Sequence, residues 1–115
     1  MINAETLSSY YEKKGRLQQN FLSKQFQADL PKFSAHEEAA GWFSSLFGED
    51  FIFVEKMKTA TEDEFYYLYD IIHDRPRWER REQDIKEKGF ANGLGMLLCA
   101  QRVDIYEDGS VELAF

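Results

Sequence analysis

A chain of 115 residues has the size of one domain and leaves no room for a second independent core. Apolar residues make up 43% and charged residues 30%, with ten Phe, six Tyr and two Trp, so an interior can be filled and no polar tract is long enough to stay disordered. A net charge of −7 argues against general affinity for nucleic acid, a single cysteine excludes an internal disulfide, and no run approaches the ~18 apolar residues of a membrane-spanning helix.

The lone thiol, Cys99, suits a reducing compartment. The first twenty residues hold Lys13, Lys14 and Arg16 but no apolar run of a secretory signal, and together these features lead us to expect a cytoplasmic protein. Residues 34–74 carry ten carboxylates against only Lys56 and Lys58, between mildly basic flanks. Such a belt repels phosphate backbones and attracts basic surfaces; it also keeps a protein soluble.

In chain order, Leu7, Tyr10, Tyr11, Leu17, Phe21, Leu22 and Phe26 form an apolar stripe at three- and four-residue spacing, which predicts a helix over residues 3–27, weakened at Gly15 and with an amide-rich, basic second face. Ser34 and Glu37 have the form of a capping box opening a second helix. Trp42, Phe43, Leu46 and Phe47 make it the central core element, and Gly48 ends it. Phe51 to Val54 followed by alternation to Lys58 predicts a strand. Residues 64–74 fit either a helix capped by Thr61 and Glu64 or a strand. The dense aromatic and β-branched types favour the strand.

Pro76 suits the first turn of a third helix running to Lys88, with Gly89 beyond it and only Trp78 and Ile85 as apolar interior positions. Two strands, about 96–106 and 110–115, follow. A three-residue loop of Glu107, Asp108 and Gly109 sets Ile105 opposite Val111 and Val103 opposite Leu113, at the cost of Asp104 facing Glu112 on the wet side with Arg102 nearby as partial relief. The expected fold is a small single α+β domain of order α-α-β-β-α-β-β, an antiparallel sheet of two hairpins with helices packed on one face.

Catalytic and metal constellations are sparse. Only His36, His73 and Cys99 stand beside the carboxylates as metal donors, and no cofactor or metal is expected. His36 reads as a solvated first-turn residue, His73 as a hairpin-end residue, and Cys99, within Met96 to Ala100, as packing. Gly89, Gly93 and Gly95 lack the Lys-Ser/Thr ending of a phosphate loop and read as turn residues. No nucleophile elbow is present.

Two features remain. Glu62, Asp63 and Glu64 form an acidic knot beside Tyr66 and Tyr67, and Arg75, Arg77, Arg80 and Arg81 cluster about Trp78. The leading expectation is a non-catalytic protein-binding module that uses Glu62, Asp63, Glu64, Tyr66, Tyr67, Arg75, Arg77, Trp78 and Arg81 against another, possibly basic, protein. Small acidic bacterial immunity proteins, antitoxins and phage accessory proteins share this size and charge, an analogy of bulk properties without a shared motif. The alternatives are a small-ligand-binding protein or enzyme with His73, Arg75, Arg77 and Asp70 around a cleft, and nucleic-acid binding through the Arg/Trp helix.

Overall fold

The computed structural model describes residues 1–61, 64–90 and 98–115. Its class is α+β. Among the described residues the chain forms a hairpin of strands β1 (Tyr11–Lys14) and β2 (Gln19–Leu22), then helices α1 (Lys24–Ala28) and α2 (His36–Phe47), strands β3 (Phe51–Lys58) and β4 (Phe65–Ile72), helix α3 (Arg75–Lys88), and strands β5 (Ala100–Tyr106) and β6 (Val111–Leu113). Strands β3-β4-β5-β6 make an antiparallel sheet in chain order, and β1-β2 pair separately. From α1 onward the order is the expected one, and residues 65–72 are strand. None of these helices is long and apolar enough to cross a membrane.

The helix expected over residues 3–27 is the main correction. Leu7–Tyr10 is a single 3-10 turn, and the chain reverses between β1 and β2 with Gly15 at φ +75° and Gln18 at φ +50°. The apolar stripe still reaches the interior. Tyr10, Leu22 and Phe26 are buried, and Tyr10 meets Phe26 edge-on at 5.7 Å. Hydrogen bonds from far along the chain outcompete helical ones: the Gln101 side-chain amide bonds both the N–H and the C=O of Leu22, at 3.0 and 3.1 Å. Gln27 does the same for strand β6, donating to the Val111 carbonyl and accepting from the Leu113 N–H, both at 2.7 Å. Each amide mimics a peptide unit, and Gln27 blunts an otherwise open sheet edge.

Helix α2 is the expected core element. Phe43 stacks on Phe51, which stacks on Tyr69, with ring centroids 5.2 and 4.4 Å apart. Phe26 from α1 is fully buried and touches Trp42, Phe43 and Phe47. The cap differs from the expected box: Ala35 is the N-cap, and Ser34 bonds the Glu38 carboxylate rather than Glu37. Gly48 ends the helix at φ +58°. On α3, Asp74 accepts from the Arg77 N–H, Pro76 lies in the first turn, and left-handed Gly89 follows the last residue.

The β5–β6 register is as read from the sequence, with Val103 opposite Leu113, Asp104 opposite Glu112 and Ile105 opposite Val111. Gly109, at φ +91°, serves the turn and a close approach together, since a Cβ there would overlap the Phe33 carbonyl and stand 2.9 Å from the Ala35 nitrogen. The beginning of the strand expected from about residue 96 falls partly outside the described residues, and the ladder starts at Ala100. The glycines 93 and 95 of the considered phosphate loop also lie outside them, as do Glu62 and Asp63.

Candidate functional site

Directly opposed residues of an antiparallel ladder share a face, so the registers sort the sheet into two sides. Phe51, Tyr69, Ile71, Gln101, Val103, Ile105 and Leu113 face α2 and are buried. The other face carries Ile52 and Met57 of β3, Tyr66, Leu68 and Asp70 of β4, Arg102, Asp104 and Tyr106 of β5, and Glu112 of β6. A register shift between Phe53 and Glu55 adds Glu55 to this second face and turns Lys56 to the first. There Lys56 lies 4.1 Å over the Phe65 ring. Most of the second face is half-buried and Glu112 is exposed.

At the turn end of this face Tyr66 stacks on Tyr106 at 5.3 Å. Burial raises the Tyr106 hydroxyl's pKa, and the charges of Glu112 and Asp104 raise it further. Asp104 lies directly opposite Glu112, its Oδ1 buried without a hydrogen-bond partner among the described residues. Burial pushes the Asp104 carboxyl upward; Arg102 draws it back and Glu112 adds to the rise. Asp104, Glu112 and Arg102 line a hollow of about 530 Å³ with Gln27 and Phe115. A half-buried acid thus faces an exposed one, and no ion pair neutralises either among the described residues.

At the opposite end Asp70, only 8% exposed, holds two guanidiniums: Arg81 Nη2 at 3.3 Å and Arg102 Nε at 3.2 Å. Arg102, read as relief for Asp104, thus makes its ion pair with Asp70. Arg81 reaches this face from α3, so the two longer helices do not meet the sheet in the same way: α2 covers one face, and α3 sends this side chain to the other.

The residues picked from the sequence are dispersed. Tyr66 lies on the open face, whereas the Tyr67 ring stacks on His36 at 3.7 Å. His36 is half-buried rather than solvated. Its Nε2 is 2.7 Å from the Tyr69 hydroxyl, and burial lowers its pKa. Glu64 is exposed and precedes β4. The arginines are parcelled out: Arg75 pairs with Asp50 at 2.6 Å and lies over Trp78, Arg77 pairs with Asp74 at 3.1 Å, and Arg81 joins Asp70. Arg80 is exposed, and Trp78 is half-buried, its Nε1 sealed off without a partner among the described residues.

His73 and Asp70, the centre of the considered cleft, engage different neighbours. His73 Nε2 is 2.8 Å from Gln101 Oε1, its ring wedged edge-on between Tyr11 and Phe21, and burial lowers its pKa. Burial and the charge of Asp50 together push the Tyr11 hydroxyl up to about 12. Cys99 is buried, its pKa raised by burial, which suits packing rather than a nucleophile. No group of three or more His, Cys, Asp or Glu among the described residues is arranged to hold a metal ion.

Sequence reasoning weighed the Asp104–Glu112 opposition as a cost without seeing a site in it. Its signal was present: an unfavourable like-charge pair that the only plausible register forces into existence. No protein-family profile, characterised protein or solved structure is significantly similar to this chain. The functional reading therefore rests on the geometry of the open sheet face.

Proposed function

We propose that the protein is a non-catalytic binding module of the cytoplasm that recognises a basic segment of another protein through the turn end of its open sheet face. The single observation that carries this reading is the direct opposition of Asp104 and Glu112, with Asp104 Oδ1 buried and unbonded among the described residues. Like charges directly opposite one another across a ladder destabilise it, and a buried acceptor without a partner costs about 1–3 kcal/mol. A lysine or arginine docked between them removes both penalties, so the pair favours the bound state. Tyr66 and Tyr106 beside it supply the rigid amphipathic area that interfaces use, and the overall charge of −7 steers a cationic partner inward.

In size and charge such a module matches immunity-like, antitoxin-like or phage-accessory-like adaptors, by analogy alone. The test compares partners recovered by the wild-type protein with those of a D104N/E112Q double variant and of an E37Q/E38Q control, which alters acids at the start of α2. A specific partner kept by the control, lost by the double variant and released by salt supports the reading. The same partners on all three baits would refute it.

A further inference from the structure

The other end of the same face carries a second feature, which shares Arg102 and Phe115 with the first hollow but does not rest on the protein-binding reading. A hollow of about 300 Å³ is bordered by Lys14 of β1, Arg81 of α3 and Arg102 of β5, with Asp70 as the one acidic side chain among the described residues of its lining. The lining sets three cationic side chains against one acidic side chain, in a chain whose net charge is −7. Asp70 is 11% exposed in its side chain and holds Arg81 Nη2 through one oxygen and Arg102 Nε through the other, so each guanidinium is anchored at one nitrogen before anything binds. Glu82 takes a second bond from Arg81 at 3.1 Å, outside the lining. Arg102 is 41% exposed, and beyond its Nε–Asp70 contact its guanidinium makes no further ion pair among the described residues. The Lys14 ammonium lies 4.9 Å over the Phe21 ring. Phe21, Leu98 and Phe115 supply apolar walls.

Fixed guanidiniums present paired N–H donors that match the geometry of a carboxylate or phosphate, and low-polarity walls strengthen such bonds by keeping water away. A volume near 300 Å³ is at the lower end of small-ligand sites. We infer that this hollow is a binding site for a small ligand bearing one oxyanion, a carboxylate or a phosphate monoester, on a compact apolar body. The oxyanion is held between Arg102 and Lys14 with Arg81 behind them, and the apolar body lies against Phe21 and Phe115.

The probes are benzoate, phenyl phosphate, inorganic phosphate and uncharged benzyl alcohol, each titrated into the full chain while the side-chain Nε–Hε resonances of Arg81 and Arg102 are followed by NMR. Benzoate or phenyl phosphate is expected to give saturable shifts with a Kd at or below about 1 mM, and the tighter of the two identifies the anion class. R102Q is expected to weaken that binding about tenfold or more. K14Q, at a half-buried position of β1 without an ion pair to Asp70, provides a second variant and is expected to weaken it severalfold. R75Q, which alters the Asp50 pair outside this lining, leaves it unchanged. Absence of saturation, equal binding by R102Q and K14Q, or equal affinity for benzyl alcohol would overturn the assignment; inorganic phosphate binding as tightly as phenyl phosphate would remove the role given to the apolar walls.

Discussion

The two faces of the four-stranded sheet come from alternate residues of the same strands and have opposite characters. On β5, Val103 and Ile105 are fully buried against the α2 side, while Arg102, Asp104 and Tyr106 between them remain partly exposed. The covered face carries an aromatic stack that runs from Phe47 through Phe43 and Phe51 to Tyr69. The open face is a row of charges whose neighbours are partly wrong, with two acids opposed at one end and two arginines sharing one acid at the other. Stability is concentrated on the first face, and unsatisfied interaction on the second. Binding sites have this character, because a surface already content with its own contacts gains nothing from a partner.

If that division holds, truncation on the covered side should dominate the energetics. Phe26→Ala removes the ring that joins α1 to Trp42, Phe43 and Phe47 and is expected to cost about 3–5 kcal/mol in urea unfolding. Tyr66→Ala on the open face should cost far less, and a comparable loss would erase the distinction. Next in size, Gly109→Ala forces a side chain into φ +91° and against the Phe33 carbonyl, and is expected to cost about 1–3 kcal/mol with a loosened contact between the β5–β6 turn and the start of α2, read by hydrogen exchange at His36.

Asp104→Asn should act in the opposite direction. Because burial holds the Asp104 carboxyl above its ordinary range, its ionised form weakens the fold, and wild-type stability falls as pH rises from the unfolded value near 3.9 through the raised folded value. The variant is therefore expected to be more stable at pH 7, by a few tenths up to about 1 kcal/mol, and equal to wild type once the pH drops below that window. Thermal melts at pH 7 and pH 3 measure both arms, and a destabilised variant at pH 7 would contradict the strained-pair account. Smallest is the effect of His73. Its pKa is lowered by burial, so protonation favours the unfolded chain, and stability is expected to decline as pH falls below about 6.5. Following the His73 ring by NMR titration checks the direction, which an upward shift would reverse.

How much of this was legible depended on the range of the interactions involved. The β5–β6 hairpin was readable to the register because a loop containing Gly109 and strict alternation on β5 are both local. Helix α3 was readable because Pro76 and Gly89 mark its ends; its N-cap, Asp74, came only with the structure. The N-terminal segment was not, since a stripe at three- and four-residue spacing also describes a hairpin followed by one helical turn. What decided between them was Gln101, 79 residues from Leu22, together with the turn at Gly15 and Gln18. Gln27 belonged to the amide-rich face noted in the sequence, but its bonds to Val111 and Leu113 span 84 and 86 residues and left no local trace.

The sequence by itself determined the class, the core helix, the last hairpin with its register, and the opposition of Asp104 and Glu112, because period, turn chemistry and capping act over a few residues. Only the tertiary structure decided which neighbours Tyr66 and Tyr67, sent to opposite faces by strand alternation, meet there, that Arg75, Arg77 and Arg81 of α3 go to separate acids, and that Lys14, Arg81 and Arg102 meet around Asp70. Those outcomes depend on which surfaces fold against each other. A charge has no preferred partner along the chain, and it takes the one that packing brings within a few ångströms.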